Sequence, residues 1–409
     1  MRKKLLGLAV VAALVSGNAM AASSIEDKIE ILQQEIEALK EQVAKSGSAN
    51  KAGGIQSFAD KTTVGGYGEL HYNNFQGDVA AGSTLAKDEI DVHRFVLYFG
   101  HRFNDWISLK SELELEHSNT GNGGAVELEQ AYLDFNFSEK VNAKAGVFLM
   151  PLGFLNETHE PPTFYGVERN HIETRIIPTT WWEAGVSLYG EIAPGWKYQT
   201  GLTSNLAAAN FSSFSSKGVR DGRRNVANAP AENIAFHGRL DYSGLPGVTI
   251  GASVVTGNTG QDNALLNGAD ARLTLWDAHV RYNVDKLDLR ALYASGHLGD
   301  ADKINTAFAG VANQVASGFY GWYAEAAYHV WKNGDHDLAP FIRYEKWDTQ
   351  ADLASNTIRQ VGSENDVWTV GANYWPHPEV VIKADYQKLD KPDSNKGDKR
   401  LNLGLGYMF

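Results

Sequence analysis

The sequence predicts an all-β fold: a transmembrane antiparallel β-barrel of about sixteen strands, preceded by a short α-helical coiled coil. Three observations carry that expectation. The last strand, Lys399 to Phe409, sets Leu401, Leu403, Leu405, Tyr407 and Phe409 on one face and Arg400, Asn402, Gly404, Gly406 and Met408 on the other. A strand apolar on one face and polar or very small on the other suits lipid outside and a wet lumen inside, and outer-membrane barrels close on such a strand. An export leader opens the chain, and no apolar helix follows it. Finally, alternating segments recur along the chain, with short connections alternating with long ones.

Residues 1–21 are expected to be a signal peptide. Arg2, Lys3 and Lys4 precede the apolar run Leu5 to Val15, and Ala19-Met20-Ala21 supplies a small-residue cleavage site. That run is far short of the roughly 20 apolar residues a spanning helix needs. The chain has no cysteine, so it has no lipoprotein attachment site, no disulfide and no thiolate metal centre. In residues 24–45, Ile25, Ile29, Leu32, Ile36, Leu39 and Val43 follow the spacing of a coiled coil, with Ile29, Ile36 and Val43 at a and Ile25, Leu32 and Leu39 at d. Residues 46–61, with Gly47, Gly53 and Gly54, read as a flexible linker.

Residues 62–409 then form the predicted barrel. The composition is rich in Gly, Tyr, Trp and Phe and hydrophilic on average. Only helices or closed barrels satisfy their backbone in lipid, and strands can span it with a weakly apolar alternating sequence. A formal net charge of -12 argues against a nucleic-acid partner. The expected strands cover about 62–75, 89–103, 106–117, 126–137, 141–149, 181–192, 196–205, 232–242, 247–256, 272–284, 287–296, 318–331, 338–348, 365–375, 380–389 and 399–409. Their short connections include Asn104-Asp105, Ala193 to Gly195, Asp285-Lys286, Lys332 to Asp337 and Pro376 to Glu379. Phe103, Trp106, Trp196, Tyr242, Tyr282, Trp331, Tyr374 and Trp375 flank these turns, as an interfacial aromatic girdle requires.

The period of two assigns the faces. In the third strand Trp106, Ser108, Lys110, Glu112, Glu114 and Glu116 are expected inside, opposite Ile107, Leu109, Leu113 and Leu115. In the fifteenth, Lys383, Asp385 and Gln387 face the lumen and Val380, Ile382, Ala384 and Tyr386 face lipid. The lumen wall thus carries Arg94, Lys110, Lys144, Arg239, Arg281, Arg290, Arg343 and Lys383, spread singly over many strands. Inward acids, such as Glu69, Glu112, Glu114, Asp134, Glu183, Glu325 and Glu345, are expected to be at least as numerous.

The connection 150–180 holds Pro151, Gly153, Pro161, Pro162, Gly166 and Pro178, so it is not a strand pair. It is crowded with Glu157, His159, Glu160, Glu168, Arg169, His171, Glu173 and Arg175. Folded into the lumen, such a loop narrows the pore and sets both charge signs where a solute is least hydrated. Glu157, His159, Glu160, Glu168, Arg169, His171 and Arg175 are therefore the candidate constriction residues. The pair His159-Glu160 with His171 lacks the H-E-x-x-H spacing and a helix to carry it, so no metal is expected, nor any other cofactor.

The segment Ala145 to Thr180, AGVFLMPLGFLNETHEPPTFYGVERNHIETRIIPTT, followed by Trp181-Trp182-Glu183-Ala184-Gly185, resembles the phosphate-selective porins O and P. So does the order of leader, coil and sixteen-strand barrel. The resemblance covers the barrel from about Thr62 to Phe409 and implies a homotrimeric channel lined by an infolded third loop. It also implies anion selectivity, whereas the mixed charges of the wall suit general diffusion. The expected function is passive diffusion of small hydrophilic solutes across the Gram-negative outer membrane, with phosphate and other anions as candidate solutes. The partners are then membrane lipid, such solutes and two further copies of the chain. A non-conducting barrel tethered through its coil is the alternative. No G-x-S-x-G elbow is present, and an enzyme is not expected.

Overall fold

The computed structural model describes residues 58–77, 88–121, 123–308, 314–355, 357–392 and 396–409. The expected leader, coiled coil and most of the linker lie outside these residues. From Thr62 onward the chain forms sixteen strands, each antiparallel to the next. They are β1 (Thr62–Gly77), β2 (Asp88–Arg102), β3 (Ile107–Glu116), β4 (Val126–Asn136), β5 (Asn142–Leu149), β6 (Trp182–Ala193), β7 (Trp196–Thr203) and β8 (Ala235–Tyr242). The second half comprises β9 (Val248–Asn258), β10 (Arg272–Val284), β11 (Leu287–Leu298), β12 (Gly318–Tyr328, resumed as Trp331–Asn333), β13 (His336–Asp352), β14 (Glu364–His377), β15 (Val380–Lys391) and β16 (Lys396–Met408). Both pieces of β12 pair with β13, so they count as one strand broken at His329-Val330.

The barrel closes where β16 returns to β1, from Tyr67 opposite Met408 to Gly77 opposite Asp398. Asn73 and Asn402 face each other across that seam, and the Asn73 amide donates to the Asn402 carbonyl at 2.8 Å. Closure removes both sheet edges, the one way a sheet can satisfy its backbone inside lipid.

Alternation sets the faces as the pattern predicts. Leu401, Leu403 and Leu405 lie exposed on the outer surface, while Asn402 between them is fully buried. Leu113 is outside, Glu112 and Glu114 inside, and Ile382 and Tyr386 lie outside opposite buried Lys383, Asp385 and Gln387. At the short-turn end the outward rings form small stacks: Trp196 on Tyr242 at 4.8 Å, Tyr374 with Trp331 at 6.3 Å, and Phe409 on Phe95 at 6.2 Å.

Three details differ from the sequence pattern. Trp106 is outside, against Phe135 and Phe137, because it precedes β3 in a turn whose amides are taken by the Asn104 side chain. Trp375 is inside, donating to Pro162 O at 3.3 Å, since its neighbour Tyr374 occupies the outer stack. The β12–β13 turn is Gly334-Asp335 alone, with Asn333 opposite His336, as the left-handed Gly334 (φ 60°) allows.

The lumen is not uniformly polar. Between Leu149 and Trp182 the chain dives inside as an inner loop, and between Thr203 and Ala235 a second loop follows it. Their apolar residues Met150, Leu152, Ile172, Ile176, Leu206, Phe211 and Phe214 are buried in one cluster with inward Leu273, Leu275, Leu292, Phe319 and Tyr323 of β10, β11 and β12. Burial of such side chains is worth about 1.5–3 kcal/mol each, which offsets the ordering of long loops. That side of the lumen is filled. Gly404 and Gly406 make room for the first loop at β16: a Cβ on Gly406 would lie 2.3 Å from Pro161 Cβ, and one on Gly404 3.1 Å from Val167 Cγ1.

Candidate functional site

Among the described residues, the inner loops and the wall of β1 to β4 line a polar cavity of about 400 Å³. The acidic wall comes from the period of two: Glu69 on β1, Glu114 and Glu116 on β3, and Glu127 and Glu129 on β4 all point inward. Arg94 on β2 sits among them, with Nε 2.6 Å from Glu69 and Nη1 3.3 Å from Glu114. His71 adds contacts to Glu69 at 3.2 Å and Glu168 at 3.4 Å. Glu69, Glu114 and Glu168 are therefore partly compensated where they stand.

Five further guanidiniums line the same cavity: Arg169 and Arg175 of the first inner loop, Arg220 and Arg223 of the second, and Arg400 of β16. Each is held by neutral groups. Arg169 donates to Thr180 Oγ1 at 2.9 Å, Arg175 to Ser216 O at 2.6 Å and Arg400 to Gln387 Oε1 at 2.7 Å. Arg220 donates to Thr174 O and Thr179 O, and Arg223 to Pro178 O and Thr180 O. Among the described residues none of the five forms an ion pair. Carbonyls fix their direction but leave their charge free, so the positive field acts on the cavity.

That field is visible in the loop groups. Burial, then repulsion from Arg223 and Arg169, pulls the Arg220 pKa down to about 9. Burial and the nearby Arg175 and Arg400 hold His171 well below the ordinary histidine range, so it is neutral. Against the cost of its burial, His71 and Arg400 keep Glu168 well below the usual carboxylate range and hence ionised.

The seven loop residues singled out by sequence thus separate into two groups. Glu168, Arg169, His171 and Arg175 line the cavity. Glu157 instead lies in a second recess with Arg239, 3.4 Å from Lys144 and 3.9 Å from Arg239. Glu160 accepts from the Tyr98 hydroxyl at 3.2 Å, and His159 is buried behind the loop beside Glu112 and Glu129. Their separation follows from the loop's path: it is aperiodic, and its two arms face different walls.

Most basic residues of the wall are neutralised. Arg343 pairs with Glu325 at 3.0 Å and Glu345 at 2.9 Å, Arg281 and Arg290 with Asp288, and Lys110 with Asp134. Lys383 donates to Gly166 O at 2.8 Å, with its ammonium 3.5 Å from the Phe164 ring centre. Of the wall bases singled out by sequence, only Arg94 reaches this cavity with the loop residues. Arg220, Arg223 and Arg400 were absent from the sequence-derived candidates. The basic run Arg220-Asp221-Gly222-Arg223-Arg224, set among Phe211 and Phe214 in a long connection, was the available signal.

A closed sixteen-strand barrel with an apolar exterior, inner loops and a charged passage is a porin channel of the outer membrane. The chain belongs to the family of phosphate-selective porins O and P, whose family model matches residues 64–409. A protein of Aquifex aeolicus (strain VF5) is 34% identical over 349 residues, covering 82% of this chain and 77% of its own. Two solved structures share the fold. The anion-selective porin from Comamonas acidovorans aligns with a TM-score of 0.55 at 11% identity over 85% of this chain and 99% of its own. The in-vitro folded OmpT of Vibrio cholerae in trimer form aligns with 0.51 at 13% identity over 86% and 100%.

Proposed function

We propose that this porin is a passive diffusion channel for small hydrophilic solutes, that it favours anions, phosphate among them, and that Glu168, Arg169, His171 and Arg175 line its constriction with Arg220, Arg223 and Arg400. The observation that carries this reading is the set of five guanidiniums turned to one cavity on neutral acceptors. An anion crossing there exchanges water for guanidinium donors in fixed positions, while a cation meets acids of which Glu69 and Glu114 are already engaged by Arg94 and Glu168 by His71. Acids within the same cavity favour passage over tight retention.

The trimeric state, and export by residues 1–21, belong to the same proposal. Its trimer is supported by the trimeric OmpT of similar fold. Recording single channels from the full protein in a salt gradient tests both parts: conductance in steps of three with a reversal potential of anion sign is expected. A cation-sign potential overturns the selectivity, and a silent bilayer overturns conduction in favour of the tethered barrel.

A further inference from the structure

We propose that the structure contains a divalent-metal site of the zinc class, formed by Glu112 of β3, Glu129 of β4 and His159 of the inner loop, which pins that loop to the barrel wall. His159 Nε2 stands 3.5 Å from Glu112 Oε1 and 3.6 Å from Glu129 Oε2, and all three side chains are at most 2% exposed. The three atoms lie within 4.8 Å of one another. Each of them is buried without a hydrogen bond. Buried polar atoms without a hydrogen bond are rare, and three converging on one point indicate a missing occupant.

The spacing suits a metal better than a proton. At 3.5 and 3.6 Å the ring and the carboxylates are too far apart for good hydrogen bonds. Two ligands each about 2.1 Å from a tetrahedral zinc ion are about 3.4 Å apart.

The surrounding contacts also prepare the ligands. The Nδ1–H of His159 donates to Asn156 O at 3.3 Å, which leaves the Nε2 lone pair free for the site. Gln130 donates to Glu112 Oε2 at 2.6 Å, so the carboxylate presents Oε1 inward. Tyr67 stands edge-on to His159, with ring centres 5.9 Å apart, and its hydroxyl is another buried atom without a partner. It is suited to hold a water in the fourth position. Two carboxylates and one imidazole match zinc rather than calcium or magnesium, which take oxygen ligands.

The other histidine cluster supplies a control. In Asp91, His93 and His117 the carboxylate already meets the rings at 3.1 and 2.9 Å, and both rings are partly exposed. The test uses the full chain in detergent micelles, stripped with a chelator and then dialysed against zinc, with bound metal counted by mass spectrometry after gel filtration. One zinc ion per chain is expected, with a higher unfolding midpoint. His159→Gln and Glu129→Gln should each weaken retention at least about tenfold and abolish the zinc-induced shift, and His117→Gln should do neither. A wild-type chain that retains no zinc overturns the site, as does retention lost in His117→Gln but kept in Glu129→Gln. If His159→Gln does not fold, the wild-type stoichiometry and Glu129→Gln decide.

Discussion

The hydroxyl of Tyr323, on β12, donates to the carboxylate of Glu173, in the first inner loop, across 3.0 Å, and both side chains are buried. The same carboxylate accepts the amides of Phe154 at 2.5 Å and Leu155 at 2.6 Å and the Asn170 side chain at 2.9 Å. One acid therefore folds the loop on itself and fastens it to the wall. Its donors lie on three separate stretches of chain, so the loop's shape is a property of the whole barrel.

Glu173→Ala should strand those donors, at about 1–3 kcal/mol for each group left unsatisfied. Chemical unfolding in micelles is expected to show a lower midpoint, and single-channel traces should become noisier as the loop loosens. Quiet, wild-type conductance would mean that the loop is held elsewhere.

Arg400→Ala is the cleanest probe of this set of guanidiniums, because Arg400 stands on β16 and, among the described residues, donates only to Gln387. The reversal potential in a salt gradient should move toward cations, and adding Arg169→Ala and Arg175→Ala should move it further. An unchanged potential would place selectivity outside this cavity.

Arg94→Ala leaves Glu69 and Glu114 side by side and buried without their shared cation. Breaking such a group typically costs about 3–5 kcal/mol. A matching fall in unfolding free energy is expected, and Arg94→Lys should recover only part of it, since one ammonium lacks the fork that spans both acids.

Gly406→Val puts carbon where Pro161 already stands, since even a Cβ would be 2.3 Å from the proline's own. Overpacking of this kind costs about 1–3 kcal/mol, and the proline has little freedom to yield. The variant should unfold earlier and show altered conductance, whereas wild-type behaviour in both would show that the loop can slide.

Leu403→Arg turns a charge toward lipid from the outer face of β16, at about 2–4 kcal/mol near the bilayer midplane. Loss of the heat-modifiable band on gels is expected. Normal assembly would contradict the outward assignment of that strand.

The sequence by itself determined the barrel, its strand number and the face that most strand residues take, Trp106 and Trp375 excepted. Lipid acts on every second residue independently, so Leu401, Leu403 and Leu405 declare themselves without reference to any partner. It also marked 150–180 as the loop that matters, through prolines that forbid strands and charges with no place in lipid.

Only the tertiary structure decided which of those charges meet. Glu157, His159 and Arg169 lie close in sequence yet face a second recess, a buried pair of acids and the arginine-lined cavity. The reason is that an aperiodic loop takes its path from contacts far along the chain, such as the Val167 amide on Asp385 at 2.6 Å and Tyr323 on Glu173. Neutralisation of the wall bases, and the freedom of five arginines, follow from that path, since each depends on which carboxylate or carbonyl the folded chain brings alongside.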